Sequence, residues 1–420
     1  MFKKVLVFVA GAMMLAAPAV ASEVSEGPMN VTSKFKLSIG GFARLDYVYN
    51  SQNRGQFGFL LPNGVGRSGS TAEQQDQSML TARVSRFWLK VDGPAFFGAK
   101  TNAFIEADFV GLSTATNTGN ENGELRMRQA YGSLDWPNTQ ILFGQAYEMF
   151  GPAVASTVDF RQGAFYGTPN SPRVAQFRIT QKLNFNPDNH LKLVVGVQNP
   201  VEDAGLSGDV PNVAGQIMFV SKALGVSPGF YGMSMKGLQA GFFGLWGTQV
   251  DAPSGARNSD VYGYGVYAFV PLLKSKDGKS RAMTASLEAQ AYIASGMNWN
   301  GATAANLTGT SGTAAKGYGA YGQIMFYPIQ DVGITAGYER RNAMNYKSLA
   351  TANTASSSFE EYNQLVYANV AYDLNAAVRV AAEYLHGKTQ YNTPVTVAGG
   401  GTQGDSGNIN AVRCAFYYFF

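Results

Sequence analysis

The chain has 420 residues, rich in glycine (49), phenylalanine (27) and tyrosine (22), and carries 32 basic against 28 acidic residues, for a net charge of +4. So balanced a charge gives no indication of nucleic-acid binding. A single cysteine excludes an internal disulfide framework, and beyond the N-terminal region no apolar run is long enough to predict a membrane-spanning helix.

Residues 1–21 have the features of a secretory signal peptide. Lys3 and Lys4 precede a short apolar core, and the core is followed by an Ala-Val-Ala run, the small-residue motif of a signal-peptide cleavage site. The core is too short for a stable membrane anchor. We therefore expect a short periplasmic segment over residues 22–34, followed by a single domain over residues 35–420.

From Phe35 onward the chain repeats one unit, an alternating segment of about ten residues followed by a turn or loop. Alternation of apolar and polar residues with period two predicts β-strands. Sixteen strands are predicted, at 36–49, 78–93, 99–110, 124–136, 139–147, 174–185, 190–199, 213–224, 237–249, 260–270, 282–294, 315–327, 331–341, 361–372, 376–387 and 407–420.

The connections between these strands alternate between short turns and longer loops. This is typical of a transmembrane antiparallel β-barrel with both termini on the periplasmic side. Two of the expected short turns, at 221–236 and 272–280, are long for that end of a barrel. Fourteen or eighteen strands therefore remain open as alternatives to sixteen.

The final segment, NINAVRCAFYYFF (408–420), alternates strictly and ends on an aromatic residue. It is similar to the last strand of bacterial outer-membrane proteins, which pairs with the first strand and closes the barrel. The alternative is an edge strand of a soluble sandwich. Lys192 argues against it, and so do Arg379 and Glu383, because each alternates with apolar residues and a soluble core would not bury such charges. Sixteen strands would enclose an aqueous lumen.

One connection, at 147–173, is long and rich in aromatic residues. Because an exposed loop gains nothing from such residues, we predict that this third long loop folds into the barrel and narrows it. Glu148, Asp159 and Arg161 would then be the charged groups at the narrow point. The alternative is a loop packed on its own surface or against a neighbouring subunit.

Two segments, LRMRQAYGSLDWPNTQILFGQAYEMFG (125–151) and SRFWLKVDGP (85–94), resemble the DcaP-like outer-membrane porins. The resemblance implies a sixteen-stranded porin, a homotrimer, and uptake of small anionic solutes such as dicarboxylates. The N-terminal extension of some relatives has no counterpart here. Similar hairpins occur in phosphate-type porins, so the substrate stays open.

The face opposite the apolar one is assigned to the lumen. Its predicted pore-lining and selectivity residues are Arg86, Lys90, Lys100, Glu106, Asp108, Arg126, Arg128, Arg178, Lys182 and Lys192. The basic residues lie on consecutive strands and should form one wall that favours anions. Glu106, Asp108 and acids of the third loop would face this wall and create a transverse field. Alternatively, Arg126 and Arg128 simply pair with Glu106, Asp108 or Glu124.

Neither a catalytic site nor a cofactor or metal site is expected. His190 and His386 fall at opposite ends of the predicted strands, and no phosphate loop, metal spacing or dinucleotide fingerprint occurs. The function predicted is passive diffusion of small hydrophilic, anionic solutes through a homotrimeric porin embedded in outer-membrane lipid. A phosphate- or cation-preferring porin and a non-conducting structural or adhesive barrel are the alternatives.

Overall fold

A closed antiparallel β-barrel makes up the computed structural model of this chain. The structure describes residues 35–53, 64–111, 123–169, 172–199, 210–250, 258–303, 307–308, 313–345, 347, 359–397 and 401–420. The predicted signal peptide and the 22–34 segment lie outside these residues.

Within the described residues, sixteen strands form the wall, as predicted. Their bounds are β1 (Lys36–Asn50), β2 (two segments, Gln77–Thr81 and Arg86–Asp92), β3 (Lys100–Gly111), β4 (Glu124–Asp135), β5 (Thr139–Tyr147), β6 (Arg173–Asn186), β7 (Asn189–Gln198), β8 (Asn212–Ser221), β9 (Leu238–Val250), β10 (Asn258–Leu273), β11 (Thr284–Ser295), β12 (Lys316–Ile329), β13 (Val332–Ala343), β14 (Glu360–Asp373), β15 (Val378–Tyr391) and β16 (Ser406–Phe419).

Pairing of the first and last strands closes the sheet. β1 runs antiparallel to β16 from the Phe42–Phe419 pair to the Asn50–Ala411 pair. Every other strand pairs with its neighbours in chain order. Closure leaves no unpaired sheet edge, which is what a strand-built structure needs in a medium that offers no hydrogen bonds.

β2 is interrupted between Thr81 and Arg86, where it would otherwise continue along β1. The Ser85 hydroxyl fills the gap by accepting a 2.9 Å hydrogen bond from the Arg44 backbone N–H. A side-chain oxygen thereby replaces the missing backbone acceptor of the β1–β2 pairing, and the Arg44 side chain still points inward.

The two faces of the wall differ as the alternation predicts. Large apolar side chains are exposed on the outer face; examples are Ile217, Phe242, Val266, Ile324, Val366 and Phe416. On β16 the intervening residues, including Ala411, Arg413 and Ala415, are buried inside. A wall that is apolar outside and polar inside suits a barrel with lipid around it and water within it.

The strand ends differ from prediction by a few residues. β8 ends at Ser221, before the predicted end at Leu224, because the chain already turns into the barrel there. β15 continues to Tyr391 instead of ending at Gly387, since its pairing with β14 and β16 persists that far.

The turn between β8 and β9 (residues 222–237, the β8–β9 turn) has structure of its own. It holds a two-residue hairpin, Ser227–Pro228 with Met235–Lys236, and a short 3-10 helix, Phe230–Gly232. Two similar small hairpins lie in loops, Leu307–Thr308 with Thr313–Ala314 and Val395–Thr396 with Thr402–Gln403. No helix in the described part of the chain is both long enough and apolar enough to cross a bilayer.

The third long loop (residues 148–172, loop L3) folds into the barrel, as predicted. Phe150 packs inside against inward-facing residues of β7 to β12, among them Phe243 and Tyr292. Tyr166 packs in a second cluster with Leu365 and Leu385 of β14 and β15. These aromatic residues therefore anchor the loop within the lumen.

Candidate functional site

Loop L3 begins with a buried carboxylate. Glu148 accepts hydrogen bonds from Asn300 Nδ2 at 2.9 Å and from Gln198 Nε2 at 3.1 Å. Gln216 Nε2 donates to the carbonyl of Met149 at 2.7 Å. Polar side chains of β7, β8 and the loop after β11 thus attach the start of the loop to the wall.

The middle of loop L3 is held by a set of contacts to β15 and β16. The Glu383 carboxylate accepts the backbone N–H groups of Val158 and Asp159 at 2.7 and 2.8 Å. The Asp159 carboxylate in turn accepts from Arg413 Nε at 2.9 Å. All these charged groups are buried, and each pairs with a complementary donor or acceptor. The middle of loop L3 is therefore attached to the barrel wall by specific hydrogen bonds and an ion pair.

The returning part of loop L3 approaches β13 very closely. The Glu339 carboxylate accepts from both the backbone N–H and the hydroxyl of Thr168, at 3.0 and 2.7 Å. Gly163 has φ +73 and lies against the same carboxylate, so a Cβ at this position would collide with it. Glycine is required here both by the backbone conformation and by the close approach.

A cavity of about 400 Å³, called here the basic cavity, lies between loop L3, the β8–β9 turn and the wall strands β1, β2, β4 to β6, β15 and β16. Aspartate 159 contributes the only carboxylate among its described lining residues, and that group is already bound to Arg413. Seven arginines line it: Arg44, Arg86, Arg126, Arg128, Arg161, Arg173 and Arg379. Such a surface presents guanidinium groups to any solute that enters.

The β4 arginines are linked to two acids in the wall. Arg126 contacts Asp108 through two hydrogen bonds, of 3.0 and 2.7 Å. Arg128 bridges both acids, at 2.6 Å to Glu106 and 2.8 Å to Asp108. A β-bulge makes this possible, because Glu106 pairs with Gln129 and Ala107 with Met127, which leaves Arg128 as the extra residue.

In this cluster the acids lie behind the arginines. The Asp108 side chain is fully buried, whereas 31 % of the Arg126 side chain is accessible. Arg86 is also close to Glu106, at 3.4 Å. Three guanidinium groups thus share two carboxylates, and the exposed surface of the cluster is cationic.

A second cavity, of about 420 Å³, lies beside the first, and its charged lining residues are Arg178, Lys192 and Glu148. Lys182 is directly opposite Lys192 in the β6–β7 pairing, an arrangement of like charges that is unfavourable without an anion between them. Within the described residues, Nε of Arg173 and Nε of Arg178 are buried without a hydrogen-bond partner. These cations are therefore less compensated than those of β4.

The remaining predicted pore residues lie away from the two cavities. Lys90 pairs with Asp92 at 2.9 Å, and both side chains are exposed near the short-turn end of the barrel. Lys100 is exposed at the same end. Among the residues that the structure describes, no group of three or more His, Cys, Asp or Glu side chains is placed to hold a metal ion.

The acids are placed differently from the arrangement expected from the sequence, although Glu148 lines the second cavity and Asp159 lines the basic cavity. Glu106 and Asp108 belong to the basic wall itself rather than facing it. The carboxylates of Glu148 and Asp159 are buried in the attachment of loop L3. The physical reason is that a loop crossing the lumen must satisfy its own backbone and charges, and these acids serve that purpose.

Burial raises the pKa of Glu148 to about 7, although its hydrogen bonds from Asn300, Gln198 and Trp299 act in the opposite direction. A carboxyl with a raised pKa binds its proton more tightly in the folded than in the unfolded chain. Its contribution to stability is therefore fully present below its unfolded pKa and is lost as the pH rises through 7.

We expect Glu148→Gln to reduce the fall in stability between pH 5 and pH 8. Because the glutamine stays neutral, the variant should escape a penalty of about 3 kcal/mol that the wild type accumulates over this range. Thermal unfolding of the detergent-solubilised protein, followed at several pH values, measures this. Parallel pH profiles for the two proteins would contradict it.

Two arginines of the basic cavity escape prediction from the sequence. Arg173 is an odd number of residues from Arg178, so strict alternation assigns it to the outer face, yet at the end of its strand it lines the lumen. Arg44 could have been found, since it shares its strand face with Asp46, to which its Nε donates at 2.8 Å.

No protein-family model and no curated protein matches this sequence. Solved structures do match. The outer membrane channel DcaP of Acinetobacter baumannii has a TM-score of 0.65 and 19 % identity, over 96 % of this chain and all of that one. An anion-selective porin from Comamonas acidovorans has a TM-score of 0.55 and 10 % identity, over 92 % and 100 %. OmpT of Vibrio cholerae in its trimer form has a TM-score of 0.54 and 12 % identity, over 92 % and 100 %.

These similarities confirm the fold that the sequence predicted. The chain has the architecture of the outer-membrane porins, a closed sixteen-stranded barrel with an inward-folded third loop, and the DcaP channel is among the structures that it resembles. Identities of this size establish the fold alone.

Proposed function

We propose that this protein is an outer-membrane porin that lets small hydrophilic solutes diffuse passively and prefers anions. The observation that carries the proposal is the basic cavity, whose seven arginines outnumber the carboxylates that pair with them. Five of these arginines share four wall carboxylates, Asp46, Glu106, Asp108 and Asp373, and the carboxylate of Asp159 is bound to Arg413. Cationic groups lining a water-filled pore lower the energy of a passing anion and raise that of a cation. The low-dielectric wall around them strengthens the effect.

Solutes with carboxylate groups suit this surface better than spherical anions do. A guanidinium group binds a carboxylate through two parallel hydrogen bonds, which a spherical ion cannot reproduce. The Phe160 ring of loop L3 lies 5.6 Å from the Arg126 guanidinium carbon and 5.4 Å from that of Arg128. The ring thus packs beside both guanidinium groups, and 31 % of the Arg126 side chain remains accessible to a carboxylate, whereas Arg128 is buried behind it.

Transport requires neither a cofactor nor an energy source in this proposal. Anions would enter the basic cavity either through the second cavity, past Arg178 and Lys192, or directly from the end of the barrel that carries the long loops. At each step an anion would leave one set of basic side chains and bind the next. Binding at each step must stay weak enough for release, which the pairing of these arginines with wall carboxylates favours.

The proposed location is the bacterial outer membrane, reached through the signal peptide at residues 1–21. The exposed apolar outer face, with residues such as Phe242 and Phe416, supports contact with lipid. We also propose a homotrimer. The trimer form of the Vibrio cholerae OmpT, which shares the fold, supports this state.

The test is a reversal potential across a planar bilayer containing the purified protein and a salt gradient. We expect stepwise conductance and a potential whose sign reports anion preference. Succinate and phosphate, added in turn, should then reduce the chloride current, with succinate acting at lower concentration. Cation preference would refute the anion proposal, and absence of conductance would favour a structural or adhesive barrel.

A further inference from the structure

The β8–β9 turn carries an aromatic pair into the barrel interior. The rings of Phe230 and Tyr231 meet edge to face, with centroids 4.5 Å apart. Tyr231 lines the basic cavity, and Phe230 lines both the basic cavity and the second cavity. A turn at the short-turn end thus contributes side chains to the same space as loop L3.

Contacts to two wall strands fix this turn. The Ser286 hydroxyl on β11 donates to the carbonyl of Pro228 at 2.9 Å, and the Ser227 hydroxyl donates to the carbonyl of Leu273 on β10 at 2.8 Å. Lys236 lies 3.5 Å from the buried carboxylate of Glu288. The turn is therefore an integral part of the lumen wall.

The turn also holds Tyr231 in an unfavourable backbone conformation. Its φ is +49, in the left-handed region, which is sterically unfavourable for a residue with a Cβ. Arg379 lies against the ring, with its guanidinium carbon 5.7 Å from the centroid. Strain of this kind persists only where the surroundings impose it, and here it directs the aromatic pair inward.

Three residues line both cavities: Tyr147 at the end of β5, Gln162 of loop L3, and Phe230. A residue that lines two adjoining cavities lies at the boundary between them. The passage between the cavities is therefore bordered by one side chain from the wall, one from the loop and one from the turn.

We propose that Phe230 is the size-determining residue of this pore and that the β8–β9 turn is a second constriction element, opposite loop L3. The proposal rests on the proposed porin function. Size and charge selection are then separate properties, since the ring carries no charge and the arginines lie on another part of the lining. Uncharged solutes should be limited by Phe230, whatever their affinity for arginine.

The experiment compares Phe230→Ala, Phe230→Trp and the wild type in bilayers and in liposomes that swell with sugars of increasing size. Phe230→Ala should raise single-channel conductance roughly twofold and admit larger sugars, because the benzyl group leaves the passage. Phe230→Trp should lower both. Phe242→Ala, the same truncation on the outer face, is the matched control and should match the wild type.

Opposite changes in the two Phe230 variants, with an unchanged ratio of anion to cation permeability, would support the proposal. A merely structural role for Phe230 would shift both variants in the same direction, and wild-type behaviour in both would also overturn it. In either of these cases the wild type still conducts, so the porin function stands. A wild-type protein that does not conduct would refute both proposals together.

Discussion

Replacing Arg126 and Arg128 together by alanine should shift the pore from anion towards cation preference. In the wild type, Arg86, Arg126 and Arg128 face Glu106 and Asp108, for a local charge of +1. The double variant keeps both acids and a single arginine, which makes the local charge −1. Two charges near the permeation path should change the permeability ratio by on the order of tenfold at low salt, and by less at high salt.

Reversal potentials in dilute and concentrated salt measure this change. The matched control adds Glu106→Gln and Asp108→Asn to the double variant, which removes the acids that the lost arginines had neutralised. It should recover anion preference, because Arg173, Arg178 and Lys192 are still present. A permeability ratio in the double variant equal to that of the wild type would show that the β4 arginines do not contribute to selectivity.

Replacing Asp159 by alanine should release the middle of loop L3 and destabilise the barrel interior. The variant leaves the Arg413 guanidinium buried, with 1 % of its side chain accessible, and without its carboxylate. Breaking one side of such a buried pair costs about 3–5 kcal/mol. We expect a lower melting temperature and rapid current fluctuations, since the loop would detach from β16 and move in the lumen.

A double-mutant cycle separates the ion pair from general disruption. Asp159→Ala combined with Arg413→Met removes both charges and should be more stable than Asp159→Ala alone. If the loss of stability in the double variant equals the sum of the losses in Asp159→Ala and Arg413→Met, the ion pair contributes nothing to the attachment. The hydrogen bonds from Val158 and Asp159 to Glu383 remain in every variant, so any remaining order of the loop has a defined origin.

Most of the fold could be predicted from alternation alone. The pattern is strong because each strand has lipid-type surface on one side and polar interior on the other, which imposes a period of two on every segment. The limits of prediction lie where the environment changes along a strand. β15 continues to Tyr391, beyond the alternating part, and the pattern does not reveal the gap in β2 before Arg86.

The candidate site was less predictable, because it depends on contacts between distant segments. The aromatic residues of loop L3 indicated that it folds inward, but nothing in the sequence pairs Asp159 with Arg413 or Glu148 with Asn300. The length of the 221–236 turn was visible as an anomaly in the strand pattern. Only the structure shows that this length serves to bring Phe230 into the lumen.

The attachment of loop L3 also has a consequence for the order in which the chain folds. Its partners Glu383 and Arg413 lie 225 and 254 residues away in sequence, on the last two strands. Arg413 lies on β16, the strand whose pairing with β1 closes the barrel. Such long-range contacts form late. The constriction should thus be assembled last. In a folding intermediate whose strands have formed but whose β1 and β16 are not yet paired, loop L3 should not narrow the lumen and should be susceptible to protease.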